Sequence, residues 1–458
     1  MTNHSSLQAL AEDLSGEVIE PSQASYDQHK TAFYDGFNQR APRAVVRVAD
    51  AADVARVIGF ARDTGLGLAV RAGGHSVLGH SSIDDGLLLD LSALSDVDMD
   101  LDEGAAWAGG GVLAGDYTKV TAEHGLVTGF GDTPTVGVSG LTLGGGVGFL
   151  HRKLGMTIDS LVAAEIVSAD GEVRVIDAEN EPDLFWAIRG GGGNFGVLTR
   201  LKFRLHPIET VVGGMMILPA NADLVAEFVT ACQEATDDLS VVAGVAVAPP
   251  LPFLPEEVHG KLILMGFMVH AGDADVAERE LGRFRSLATP LVDAVKPMRY
   301  PEIYEDGEPP HPAAMSVRSV FSDALTVEDA GAAIDALTSA TADMNVLQIR
   351  VLGGALARVP DDATAFGHRN RAMILNVAAA YQDPSRRPEH EAWVGDLSSR
   401  LSDGEPGAYL NFLGDDSPEA VRAAFPPSTW ERLVDVKTKY DQDNLFSSNH
   451  NIPPRSDP

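Results

Sequence analysis

The sequence predicts a two-domain α+β protein, and three observations predict it. The chain has 458 residues, 45% of them hydrophobic, enough for more than one compact core. Its first part runs strand, helix, strand and glycine turn in quick succession, and near residue 212 the texture changes to long apolar strands alternating with amphipathic helices. These shifts divide the chain into residues 1–208, residues 209–405 and a returning segment 406–458.

The elements follow in order. AVVRVA at 44–49 reads as a strand, and Asp50 caps a helix whose apolar face is Val54, Val57, Ile58 and Ala61, ended by Gly65 and Gly67. LAVRA at 68–72 is a second strand running into the turn GGHSVLG, and GLLLDLS at 86–92 a third. A helix over 112–124 and a glycine-dense stretch come next. Two strands then meet at a turn of Ala169, Asp170 and Gly171, and the first domain ends near Pro207. In the second part, the segments containing MMILPA, KLILMGFMVH, LQIRVLGG and AMILNVAAAY are strands, while ADLVAEFVTACQEA, DVAERELGRFRSL and VEDAGAAIDALTSAT are helices that cover the resulting sheet.

Composition excludes several function classes. The formal net charge is -32, a field that repels phosphates and so argues against nucleic acid and anionic lipid as partners. Acidic stretches such as DVDMDLDE at 96–103 read either as an ordinary solvated surface or as adaptation to molar salt. No apolar run approaches the ~20 residues of a spanning helix, and the first residues lack the pattern of a secretory signal, so a cytoplasmic location and no membrane contact are expected. The single cysteine, Cys232, sits at a core position of a helix and excludes an intrachain disulfide or a multi-thiolate zinc site.

Residues 129–160 carry the densest signal. Eight glycines fall between Gly129 and Gly148, too many for a helix or strand interior. A glycine-lined loop lets a ligand approach the backbone and meet N–H groups, which is how a diphosphate is held without extra cations. Gly191, Gly193 and Gly196 satisfy G-x-G-x-x-G, but they follow a helix and precede a strand, the reverse of a dinucleotide-binding unit. Ser139 in GVSGL lacks the second glycine of a nucleophile elbow, and His75 with His80 has no metal-ligand spacing, so no metal is expected. Read from the residues alone, His75 is a turn histidine as readily as a functional one.

Taken together, the motifs resemble the FAD-linked oxidases with a PCMH-type FAD domain and a vanillyl-alcohol-oxidase-like fold, in the berberine-bridge-enzyme-like branch, and stand closer to its bacterial forms than to its plant forms. The resemblance is carried by YDGFNQRAPRAVVR from Tyr34, RAGGHSVLG at 71–79, GDTPTVGVSGLTLGGGVG at 131–148 and DLFWAIRGGGGNFGV at 183–197. ARVPDDATAFGHR at 357–369, YLNF at 409–412 and RLVDVKTKYDQDNLFSSNHNIPP at 432–454 extend it to the other end of the chain.

The resemblance implies FAD bonded covalently to His75 and, because Thr133 stands where many members have a second linking cysteine, to His75 only. It further implies that Arg71, Gly73, Gly74, Ser76 and Gly79 wrap the cofactor on one side, and Thr135, Gly137, Gly140, Gly145, Gly146 and Gly148 on the other, with Val197 and Asn449 as further contacts. The implied reaction is oxidation of a CH–OH or CH–NH group of a small molecule, with O2 as acceptor and Val136 leaving room for it. A dehydrogenase using another acceptor, or an FAD-binding protein without activity, are the alternatives. Tyr409, Asn411, Gln348, Arg350 and Thr133 are the polar groups expected to meet substrate, Tyr409 as the base and Arg350 as the donor that stabilises its phenolate. Gln348 and Arg350, two apart on a strand, point to the same face.

Overall fold

The computed structural model describes residues 6–456 except 251–253, 255 and 305–311. In the first part, a four-stranded sheet has the spatial order Glu17–Ile19, Ala44–Arg47, Leu87–Asp90, Leu68–Arg71, the last three strands parallel. Helix Ala51–Thr64 connects Ala44–Arg47 to Leu68–Arg71. Asp50 caps it by accepting from Asp53 N, and Gly65 ends it at φ 68°, a left-handed conformation that favours glycine. A five-stranded antiparallel sheet follows, in the order Val97–Asp100, Ala105–Gly109, Val197–Arg204, Leu161–Val167, Val173–Asp177.

The second part is one antiparallel sheet built on Thr210–Pro219, Leu239–Val247, Leu262–His270, Ala314–Ser322, Met344–Val351 and Met373–Tyr381, with two short edge strands. Alternation along its strands assigns its faces. Leu347, Ile349 and Val351 join a core with Phe228, Phe284, Leu337 and Leu397, so the helices Ala222–Glu234, Ala274–Leu287, Val327–Ser339 and Arg387–Leu401 cover that face. Gln348 and Arg350 consequently point to the other face, toward the first part of the chain. Cys232 is buried in the helix-covered core, where desolvation pushes its thiol well above the ordinary range.

The chain's end returns to its beginning. Leu410, Val421, Trp430, Leu433 and Ile452 share a core with Phe130, Ile166, Phe195 and Phe203. The return is fastened by a buried ion pair at the C-terminal end of helix Pro427–Tyr440: Lys437 Nζ donates to Asp441 Oδ2 at 2.6 Å, the Asn194 carbonyl at 2.9 Å and the Phe446 carbonyl at 3.0 Å. The second part makes contact through Arg369, whose guanidinium grips both carboxylate oxygens of Asp159 at 2.7 and 2.8 Å. Among the described residues no helix is long and apolar enough to cross a membrane, and no cluster of histidine, cysteine or acidic residues could hold a metal.

Candidate active site

Two glycine-rich turns meet to form the floor of a cavity of about 390 Å³. The turn after strand Leu68–Arg71 brings Gly73, Gly74, His75 and Ser76, and the loop before helix Val138–Leu143 brings Thr133, Val136 and Gly137. Their backbones touch: a Cβ on Gly73 would lie 2.3 Å from the Gly137 nitrogen. The His75 ring lies flat on Phe33, centroids 4.2 Å apart, and its Nε2 is 3.0 Å from Thr135 Oγ1. Phe33 lines a second hollow behind His75, a support that the glycine motif did not announce.

Tyr409 also lines the cavity, just before a 3₁₀ turn Leu410–Phe412, and is 1% exposed. Its hydroxyl oxygen receives three N–H groups: Gly146 N at 2.9 Å, Val147 N at 3.2 Å and Asn411 Nδ2 at 2.9 Å. The Asn411 amide orientation is fixed, because the same Nδ2 donates to the Leu141 carbonyl at 2.9 Å. Asn411 reaches Tyr409 through this turn. Burial raises the Tyr409 pKa above its ordinary 10, while Asn411, Gly146, Arg350 and Val147 each pull it down.

Arg350 is not the hydrogen-bond donor to Tyr409 that the sequence suggests. It is 2% exposed, lies over the Phe412 ring at 4.7 Å, and donates to Gln348 Oε1 and to Asp132 Oδ2. Its influence on Tyr409 is through space, because the loop carboxylate of Asp132 claims the guanidinium first. Asp132 was missed by sequence reasoning although it sits inside the 131–148 motif, as an acidic residue beside Thr133, whose hydroxyl donates to Asp132 Oδ1 at 3.1 Å.

The remaining candidates divide by position. Gly140, Val197 and Asn449 line the same cavity as Arg350, Tyr409 and Asn411. Gly79 packs against the Phe37 ring, where a Cβ would sit 2.5 Å from the ring edge. Gly148 abuts the Phe130 carbonyl, Gly145 packs against Met156, and Gly146 holds Tyr409 through its N–H. Arg71 turns away from the cavity to Asp90, His29 O and Thr31 O, bracing the turn. Thr135 borders a second hollow that shares Gly73 and His75, and Gln348 supports Arg350 from behind.

The cavity suits a large polar cofactor. A Cβ at Gly140 would meet nothing within 4 Å, and one at Gly193 only Asn449 Nδ2 at 3.9 Å, so both backbones face open space. Five buried polar atoms of lining residues have no hydrogen-bond partner: His80 Nε2, Ser81 Oγ, Arg350 Nε, Asn449 Oδ1 and His450 Nδ1. His80 Nε2 lies 3.5 Å from Asp416, within ion-pair reach but without hydrogen-bond alignment. Buried orphans of this kind fit the hydroxyls, ring nitrogens and phosphates of a dinucleotide.

Comparison with known proteins agrees. Residues 42–177 match the FAD binding domain family and residues 408–453 the berberine and berberine-like family. The chain is 30% identical over 456 residues to (R)-6-hydroxynicotine oxidase of Paenarthrobacter nicotinovorans, covering 96% of this chain and 97% of that one. The chain belongs to the berberine-bridge-enzyme-like FAD-linked oxidoreductases. The crystal structure of 6-hydroxy-D-nicotine oxidase from Arthrobacter nicotinovorans superposes on this FAD-linked oxidoreductase with a TM-score of 0.86 at 28% identity, covering 97% of this chain and 99% of that one. Glucooligosaccharide oxidase from Acremonium strictum, described with a 6-S-cysteinyl, 8α-N1-histidyl FAD, shares the fold at a TM-score of 0.85 and 23% identity, covering 98% and 99%.

Proposed function

We propose that this FAD-linked oxidoreductase is an oxidase of a small organic alcohol or amine, its FAD bonded through His75 alone. The observation that carries the reading is the convergence of His75, Val136, Tyr409 and Asn411 on one cavity. FAD held here would supply the hydride acceptor for oxidation of the substrate's CH–OH or CH–NH carbon, with O2 taking up the electrons as hydrogen peroxide.

The chain's own residues supply the rest. Thr135 and Phe33 fix the plane of the His75 ring in the wall. Thr133 has no thiol, and the one cysteine, Cys232, is buried in another core, which supports a single link rather than the double link named for glucooligosaccharide oxidase. Tyr409 is the base for an alcohol substrate. A phenol oxygen can accept two hydrogen bonds while keeping its proton, whereas three donors around it suit the phenolate. The glycine-lined floor holds the cofactor through backbone N–H groups, with Ser76, Val197 and Asn449 beside it.

The same reading assigns residues 1–208 with 406–458 to the FAD-binding unit and 209–405 to the substrate-binding unit, supported by the core that Leu410–Ile452 share with the first part. The acidic surface is read as an adaptation to high salt, in a cytoplasmic protein. The test is anaerobic mixing of the holoenzyme with a panel of alcohols, sugars and amines, followed by air. Bleaching of the yellow colour by at least one compound and rapid return in air are expected. No bleaching would leave a binding protein, and bleaching with very slow reoxidation would leave a dehydrogenase.

A further inference from the structure

The end of the cavity near Tyr409 is charged in a particular order. Phe412 joins its parts: Arg350 lies over the Phe412 ring at 4.7 Å, and the Tyr409 ring meets it edge-on at 5.0 Å. Asp132 completes the group through its ion pair with Arg350. The side chain of Asp132 keeps 28% exposure and that of Arg350 2%, so a ligand meets the carboxylate first and the guanidinium lies behind it. One oxygen of Asp132 accepts from Arg350 and the other from Thr133, which leaves capacity for a further donor on a group that accepts about four.

No uncommitted cation offsets that carboxylate. Both terminal nitrogens of Arg350 are engaged, by Gln348 and Asp132, its unpartnered Nε is buried, and among the described residues Arg350 is the only arginine or lysine on the cavity wall. His450, also on the wall, is held neutral because burial pushes its pKa down to about 3. An anionic ligand would lose its hydration and face Asp132 with nothing to pair with.

We propose that Asp132 anchors the substrate by accepting a hydrogen bond from a hydroxyl or a protonated amine, and that the pocket excludes substrates bearing a carboxylate or phosphate beside the reacting carbon. The inference rests on the reading that substrate occupies this cavity. Arg350 acts as a positioning residue, holding the carboxylate forward. Neutral polyols and amines share the required chemistry, a donor aimed at a carboxylate.

The test is equilibrium titration of the visible flavin spectrum of the holoenzyme with benzoate, benzyl alcohol and benzylamine, three ligands of similar shape and different charge. The parent should respond to the alcohol or the amine at concentrations at least about tenfold below any response to benzoate, as expected for a hydrogen bond to a charged acceptor. Asp132→Asn releases Arg350 and should gain benzoate affinity by about tenfold or more, a gain that Asp132→Asn with Arg350→Gln should lose. A parent that prefers benzoate, or an Asp132→Asn protein that stays yellow and gains nothing, overturns the proposal. If Asp132→Asn does not fold, the ranking in the parent decides alone. Flavin bleaching by an alcohol or amine is read separately, so failure of the anchor leaves the oxidase reading standing.

Discussion

Replacing Tyr409 by phenylalanine removes one oxygen and keeps the ring, which allows base and packing roles to be separated. The oxygen receives Gly146 N, Val147 N and Asn411 Nδ2. Asn411 keeps its bond to the Leu141 carbonyl, but the two backbone N–H groups lose their acceptor, at about 1–3 kcal/mol each for buried donors. A packing role alone therefore predicts a lower melting temperature with little change in chemistry. Loss of a general base predicts in addition a fall of about 10²- to 10⁴-fold in flavin reduction by an alcohol. The pH dependence carries a sign. Burial raises the phenol pKa above 10, so the phenolate fraction, and with it the parent's reduction rate, should climb with pH across the neutral and mildly alkaline range, while the phenylalanine variant stays flat. Anaerobic stopped-flow with an alcohol substrate, run from pH 6 to pH 10, measures both quantities. A variant that reduces its flavin at the parent's rate, with the parent's pH profile, would remove Tyr409 from the chemistry.

Further expectations follow from other parts of the molecule. Val136 lines the cavity, and Val136→Leu should slow reoxidation of reduced flavin by O2 while sparing substrate reduction; equal slowing of both half-reactions would argue for general distortion instead. Lys437→Met should leave Asp441 buried without its partner and cost about 3–5 kcal/mol, read as a lower denaturation midpoint. An unchanged midpoint would mean that the C-terminal return does not depend on this pair. With a net charge of -32, the melting temperature should rise steeply between low and molar KCl, and a curve indifferent to salt would reduce the acidic surface to a solubility device.

Much of the fold was legible because period and punctuation agreed. Asp50 and Gly65 bounded their helix as read, and the turn at Asp170 and Gly171 joins an antiparallel pair, with Gly171 at φ 83°. Strand Val97–Asp100 was hidden because its acidic residues suggested only a solvated surface; Asp98 in fact pairs across the sheet with Arg200. Leu239–Val247 was hidden for the opposite reason, being buried on both faces and lacking polar alternation. Gln348 and Arg350 were legible as one face of a strand, but the partner of Arg350 was not. Asp132 lies 218 residues away, and only the closure of the two parts of the chain brings the pair together. The same holds for Tyr409, whose backbone donors Gly146 and Val147 are more than 260 positions distant.

The central claim, that one flavin is tied to this chain through His75, is tested most directly by acid precipitation of the purified protein followed by peptide mapping. The pellet should stay yellow, and the only flavin-bearing peptide should contain His75, while His75→Ala should fold, bind FAD and release it all on precipitation. Complete release of FAD from the parent protein, or a flavin on any other peptide, would contradict the account.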